Sequence, residues 1–373
     1  MDTMPDCDST RVWTDILCCP KCHGTLELHT TDLPNQQSLR CSHCSIEYPG
    51  IGDSFDLSTA EEGRKLEQQH YQEKYLTHPT PGAGDFDSEY WARRWADPHW
   101  PEGRLILNQL GDLRGKVVLC LGNGASIKEL HFLTLGATVI CSDLSLSGVI
   151  ATKSTYDLGN LASRAAFHAL DACQIAVRDH SVDVVYGYEF VHHLPDLDVF
   201  FREICRVLKP GGTCIFFDNA YSPIWQAAKR TLLWPLMRLS HLLHERSPED
   251  IRATYAGGYK EGLLQDLAAK HGFHETFFHR VMFFQYLFTN GVGSLFGWKL
   301  PSVCYRIPGT MGRSLDRLLT DRFDFLRRSR IGLVWGFRSR PACGGTRGPG
   351  TAAAGESTPS QAGFPADPLS VHG

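Results

Sequence analysis

An α/β fold built on a doubly wound sheet is what residues 105–218 predict, on two observations. Short apolar runs alternate with helix-length amphipathic stretches, and the runs are continuously apolar rather than alternating, as strands covered on both faces must be. The first run also ends in a glycine turn, Gly122-Asn123-Gly124, where such sheets hold ligands.

In order, Val117–Leu121 reads as a strand and Ser126–Leu135 as a helix. Thr138–Ser142 is a strand and Leu144–Leu158 a helix. Ala165–Ala169 and Val182–Gly187 are strands, Leu197–Leu208 a helix and Thr213–Phe217 a strand. This alternation predicts parallel strands. Beyond it Trp225–His244 and Lys260–His271 read as helices, with Phe273–Phe278 and Gly332–Phe337 as further strands. The domains expected are a ribbon over 12–57, a connecting helix and lid segment over 58–104, a core over 105–280, an accessory segment with the last core strand over 281–340, and a tail over 341–373. The tail is rich in Gly, Ala, Pro, Ser and Thr, too poor in apolar surface to offset chain entropy, and is expected to be disordered.

Composition excludes several function classes. A net charge of -4 and a pI near 6.5 give no pull toward polyanions, so no DNA partner is expected. Residues 1–11 carry Asp2, Asp6 and Asp8 and no apolar core, unlike a signal peptide. Thirteen cysteines without an export signal point to the cytoplasm and to reduced thiols or metal ligands. The uncharged stretch Val281–Trp298 is interrupted by Gln285, Asn290 and glycines, which favours two short buried segments over a membrane span. Arg280 and Lys299 flank it, leaving peripheral membrane contact open.

Cys19, Cys22, Cys41 and Cys44 form a C-x2-C-x18-C-x2-C pattern. Two turns, each carrying two thiolates, make the tetrahedral site that structural zinc prefers, with no open position for catalysis. A module this small takes much of its folding energy from the metal. Cys19-Pro-Lys-Cys22-His23 also fits a haem attachment site, but that leaves the second pair unexplained. Loss of metal from the same fold is the other alternative. Leu17-Cys18-Cys19 through Tyr48-Pro49-Gly50-Ile51 resembles the Trm112-like zinc ribbon found fused to or partnered with some methyltransferases.

The glycine turn opens a helix whose N-terminal N–H groups are expected to be free. Nineteen residues past Gly124, Asp143 ends the next strand, where an acid can hold a ribose diol. Dinucleotide dehydrogenases share that pair, although their third glycine is here Ile127. Asp171-Ala172, then Tyr188-Glu189-Phe190-Val191-His192-His193-Leu194-Pro195, then Leu208-Lys209-Pro210-Gly211-Gly212 follow in order. Together these resemble the class I S-adenosylmethionine-dependent methyltransferases over about residues 105 to 280. The resemblance implies a Rossmann-like doubly wound sheet of seven strands. By position, Gly122, Asn123 and Gly124 would line the methionine part of the cofactor. Asp143, with Leu144 beside it, would bind the ribose; Asp171 would hold the adenine amino group, with Ala172 beside the ring. Tyr188 and Glu189 would lie near the sulfonium. Cys120 stands where the family usually has an acid, and Ser126 replaces a common glycine.

His192 and His193 follow the fourth strand, placing them as candidate catalytic bases, although such histidines also cap or pack the next helix. Trp91, Trp95, Trp100, Trp225 and Trp234 suit a core better than a lid. The basic amphipathic Trp225–His244 segment and the apolar 281–298 stretch suggest a cap for an apolar or lipid-like small-molecule acceptor. An RNA acceptor is the second reading, because a bacterial ribosomal-RNA guanine methyltransferase also carries a ribbon ahead of this fold; the absent basic stripe and histidine ligand weigh against it. A non-catalytic methyltransferase-like binding protein is the third.

Overall fold

The computed structural model describes residues 13–30, 36–59, 62–77, 84–97, 100–231, 235, 258–289 and 302–340. Four short antiparallel strands form the ribbon: β1 (Leu26–Thr30), β2 (Gln36–Cys41), β3 (Glu47–Ile51) and β4 (Ser54–Phe55). Helix α1 (Glu62–Thr77) follows, then β5 (Gly84–Asp85), α2 (Ser88–Ala96) and α3 (Pro101–Leu110). Asp87 starts α2 by accepting the Tyr90 N–H at 2.8 Å, and Pro101 suits the first turn of α3, where no N–H is required. The expected boundary at 104/105 therefore falls inside α3.

The core continues with β6 (Val117–Leu121), α4 (His131–Thr134), β7 (Thr138–Asp143), α5 (Leu146–Thr155), β8 (Tyr156–Asp157), β9 (Ala165–Ala169) and β10 (Val182–Tyr188). After it come α6 (Leu197–Val207), β11 (Leu208–Asn219), α7 (Pro223–Arg230), α8 (Glu261–Lys270), β12 (Phe273–Val281), α9 (Ser302–Leu315), α10 (Asp324–Arg327) and β13 (Gly332–Ser339). The seven-stranded sheet runs β12-β13-β11-β10-β6-β7-β9. Its strands β6, β7, β9, β10 and β11 are parallel, as their alternation with helices predicts, and β13 lies antiparallel between β11 and β12, which makes the whole sheet mixed. Lys209–Gly212 loops out of the β10–β11 ladder, between the pairs Val182↔Leu208 and Val184↔Thr213.

The helix expected over Ser126–Leu135 is only a 3₁₀ turn, Lys128–Leu130, followed by α4. A regular helix needs the Ser126 carbonyl to accept from Leu130. That oxygen instead takes the Asn123 side-chain amide at 2.7 Å and the Thr152 hydroxyl at 3.1 Å. The Leu130 N–H turns to Ile127, one residue nearer, which is the tighter helix.

Both faces of the sheet are buried. On one, Phe200, Phe201, Phe216 and Trp335 pack in the same cluster as Leu17, Leu39 and Leu57 of the ribbon region. On the other, Trp95, Trp100, Phe132, Tyr186 and Phe217 cluster, so Trp95 and Trp100 are core. Trp91 and Trp225 are half-buried. The ribbon is tied to the core by backbone bonds: Cys18 N–H to Ala176, Arg178 N–H to Ile16, and Leu57 N–H to Ala169. The Arg178 side chain adds bonds to the Leu17 and Thr14 carbonyls.

Past β12, residues 284–289 are helical. The buried Asp316 carboxylate caps this turn by accepting the N–H groups of Phe283, Phe284 and Gln285. Among the described residues no helix is long and apolar enough to cross a membrane. Trp234, most of the Trp225–His244 segment, residues 290–298 and the 341–373 tail lie outside the described residues.

Candidate active site and metal centre

The C-terminal ends of β6, β7, β9 and β10 bring most of the expected cofactor residues together. Gly122 and Gly124 sit at φ +63° and +53°, a region L side chains rarely adopt. Space is also short. A Cβ on Gly122 would lie 2.2 Å from the Phe190 ring, and one on Gly124 would lie 2.3 Å from the Tyr75 hydroxyl oxygen. Asn123 is buried, its side-chain amide donating within the turn, and its carbonyl oxygen has no partner among the described residues.

Asp143 grips this turn. One carboxylate oxygen accepts the Gly124 N–H at 2.8 Å and the other the Ser145 N–H at 2.9 Å. Burial raises its carboxyl above the ordinary range, against those N–H groups and Lys74, which favour the charge. Within the turn, Gly124 N–H is spent on Asp143, Asn123 N–H on Ser142 and Ser126 N–H on Asn123. Leu144 is half-buried, its carbonyl accepting from Gln68 at 3.1 Å. Asp171 lies one residue past Leu170, whose N–H bonds the Asp143 carbonyl. Its carboxylate accepts the Cys173 N–H at 2.8 Å, and Ala172 beside it is buried.

At the end of β10 the Tyr188 hydroxyl donates to Glu102 at 2.9 Å and receives the Trp100 indole N–H at 3.3 Å. The Lys128 ammonium sits 3.7 Å from the Tyr188 ring centroid, a cation–π contact. Burial pushes the Glu102 carboxyl up to about 7, and its second oxygen has no partner among the described residues. Glu189 takes φ +54°, a strain of about 1–2 kcal/mol for a non-glycine residue. Its side chain keeps exposed surface while surrounding protein still raises its carboxyl by desolvation, the combination expected of a group lining a crevice.

His192 and His193 share a 3₁₀ turn, Val191–His193, their rings 4.2 Å apart. His192 has an acid behind it. Its Nδ1 lies 2.9 Å from Oδ1 of the fully buried Asp218, whose other oxygen accepts the His192 backbone N–H. Burial works against the imidazolium, but the Asp218 hydrogen bond and charge, with Glu189 and Glu67, hold the ring above its ordinary range. His193 faces Glu67 at 3.6 Å and meets Tyr71 edge-on.

Three participants were missed from sequence. Asp218 reads only as the end of a strand, and Glu102 as an ordinary helix residue. The third is a whole face of α1. Gln72 accepts from Ser145 and Ser147, Gln68 donates to Leu144, and Tyr75 lies against Gly124 and Gly148. The spacing 68-71-72-75 is helical, and it was the available signal within an otherwise polar stretch. The connecting helix thus lies across the glycine turn.

In the ribbon the four cysteine sulfurs lie within 4.8 Å of one another. Cys19 is 3.6 Å from Cys44 and Cys22 is 3.4 Å from Cys41, sulfur to sulfur. A zinc ion at about 2.3 Å from each of four sulfurs sets neighbouring sulfurs ~3.8 Å apart, so the donor set fits. The backbone N–H groups of His43 and Cys44 point at the Cys41 sulfur, both at 3.4 Å, as they would toward a thiolate ligand. Gly24 leaves room for the cluster: a Cβ there would lie 3.0 Å from the Cys41 sulfur.

Comparison with known proteins matches two stretches of the chain to known families. Residues 119–216 match the methyltransferase domain family, and residues 13–49 match the Trm112p-like protein family. A 109-residue stretch is 44% identical to the sterol 24-C-methyltransferase of Aspergillus fumigatus, covering 29% of each chain. A stretch of the same length is 31% identical to a fatty-acid O-methyltransferase of Mycolicibacterium smegmatis, covering 29% of this chain and 38% of that one. An 83-residue stretch is 32% identical to the methyltransferase GfsG of Streptomyces halstedii, covering 22% and 30%. The chain spans about a third of the length of these curated relatives. It carries a methyltransferase domain behind a Trm112p-like domain.

Proposed function

We propose that the protein transfers a methyl group from S-adenosylmethionine to a small apolar or lipid-like acceptor. The observation that carries this reading is the Asp143 carboxylate at the end of β7, held against the Gly122–Gly124 turn. Its remaining lone pairs suit a ribose diol. Asp171 and Ala172 would take the adenine, and Tyr188 and Glu189 the region of the sulfonium. The sterol and fatty-acid relatives support a lipid-like acceptor.

When bound, S-adenosylmethionine supplies an electrophilic methyl on a sulfonium whose thioether leaves as a neutral group. The chain's residues position the acceptor, exclude water and take up a proton. His192, with Asp218 fixing its tautomer through Nδ1, presents Nε2 as the base for an oxygen or nitrogen nucleophile. Its raised pKa means the neutral base appears only above the ordinary imidazole value of ~6.5. The rate should therefore climb with pH through a limb displaced upward from that value. His192→Asn should lower kcat by about 10²–10⁴-fold and abolish the limb. A variant that retains the limb removes His192 as the base.

The reading itself is tested by calorimetry with S-adenosylmethionine and by incubation of methyl-labelled cofactor with cell extract. Saturable binding and label in the organic-soluble fraction are expected. Absence of binding, or label confined to RNA, overturns it.

A further inference from the structure

A cavity of about 950 Å³ lies where α3, the end of β12 and residues 317–330 meet. It is separate from the glycine turn but shares a wall with the Tyr188 cluster. On α3, Pro101, Arg104, Leu105 and Asn108 line the cavity, while Glu102 on another face of the helix takes the Tyr188 hydroxyl. The C-terminal end of β12 lies at the same end of the strands as Asp218, because β12 runs in the direction of β11.

Arg104, Arg280, Arg317, Arg327, Arg328 and Arg330 all line it, and the only carboxylate among the lining residues is Glu261. Half of this charge is compensated. Arg280 pairs with Glu261 at 2.7 Å, Arg327 with Asp324 and Arg330 with Asp321. The Arg280 guanidinium also bonds the Tyr221, Arg328 and Arg330 carbonyls, pinning the rim. The other three are exposed, and no carboxylate lies within ion-pair distance of Arg104, Arg317 or Arg328 among the described residues. The three unpaired guanidiniums on this concave surface repel each other, and their planar forks match phosphate oxygens.

We infer that this cavity binds the phosphate ester of a small amphiphilic molecule. Its volume exceeds what a phosphate group fills, and Leu105, Phe278 and Val281 offer apolar wall beside the arginines. The chain's net charge of -4 argues against a polynucleotide as the occupant. That the occupant is the methyl acceptor rests on the function proposed above; the binding of phosphate does not.

The test uses the full chain and a variant in which the three unpaired arginines are removed, Arg104→Ala, Arg317→Ala and Arg328→Ala together. None of them makes an ion pair among the described residues that the fold would lose, and circular dichroism checks this. Inorganic pyrophosphate is titrated by calorimetry, and sedimentation is measured with phosphatidylcholine vesicles with and without phosphatidic acid. Pyrophosphate binding is expected, weakened at least about 100-fold in the variant. Co-sedimentation with phosphatidic acid, lost in the variant, identifies a lipid headgroup as the source; pyrophosphate binding without it identifies a soluble phosphate ester. No pyrophosphate binding, equal binding by the variant, or binding to an RNA oligonucleotide alone overturns the inference. S-adenosylmethionine titrated into both proteins reads the other proposal separately: pyrophosphate binding without cofactor binding would sink the methyltransferase reading and leave the anion site standing.

Discussion

Removing the metal from the ribbon, by chelator or by Cys41→Ser, is expected to lower the stability of the chain by several kcal/mol. The ribbon's strands are five or six residues long, or two in β4, and cannot bury enough surface alone. Binding energy of about 10–16 kcal/mol for structural zinc is folding energy in such modules. Cys41 carries more than a sulfur's share, since its thiolate also receives the His43 and Cys44 N–H groups. Because Leu17, Leu39 and Leu57 belong to the same cluster as Phe200 and Trp335, the loss should register in the melting of the methyltransferase domain too. Metal analysis by mass spectrometry should find one zinc per chain in the wild type. A chain that holds no zinc, or whose Tm is unchanged by the chelator, contradicts this.

Asp143→Ala is expected to weaken S-adenosylmethionine binding by about 100-fold or more. A carboxylate accepting two hydroxyl hydrogen bonds is worth about 1.5–3 kcal/mol for each. The substitution also leaves the Gly124 and Ser145 N–H groups without the acceptors they use now, so the turn loses its anchor. Calorimetry reads the affinity, and a thermal melt of the free protein separates loss of contact from loss of structure. An affinity within threefold of wild type would show that Asp143 does not face the cofactor.

Much of the core was legible because its strands declare themselves locally. Val117–Leu121, Thr138–Asp143 and Val182–Tyr188 are apolar runs bounded by turns, and the burial they predict is the burial they have. The direction of β13 was not legible, since a buried strand carries the same pattern either way round. The failed helix at Ser126 has a tertiary cause: Asn123 and Thr152, the latter 26 residues away, claim the carbonyl on which the helix depends. At the site, glycine and acid spacing exposed Gly122, Gly124 and Asp143. The pairing of His192 with Asp218 and the seating of Tyr75 against Gly124 join residues 26 and 49 positions apart, and no local pattern records such contacts.

The junction of ribbon and core has one more consequence. β9 ends the seven-stranded sheet, and a bare edge offers unpaired backbone groups to any other chain. Here Asp56 bridges Ala169 and Leu57 donates its N–H to the Ala169 carbonyl, while the Phe55 N–H donates to the His168 side-chain Nδ1 at 3.3 Å. The metal module therefore doubles as a guard against edge-to-edge aggregation, and chelated protein should become turbid before its sheet has melted.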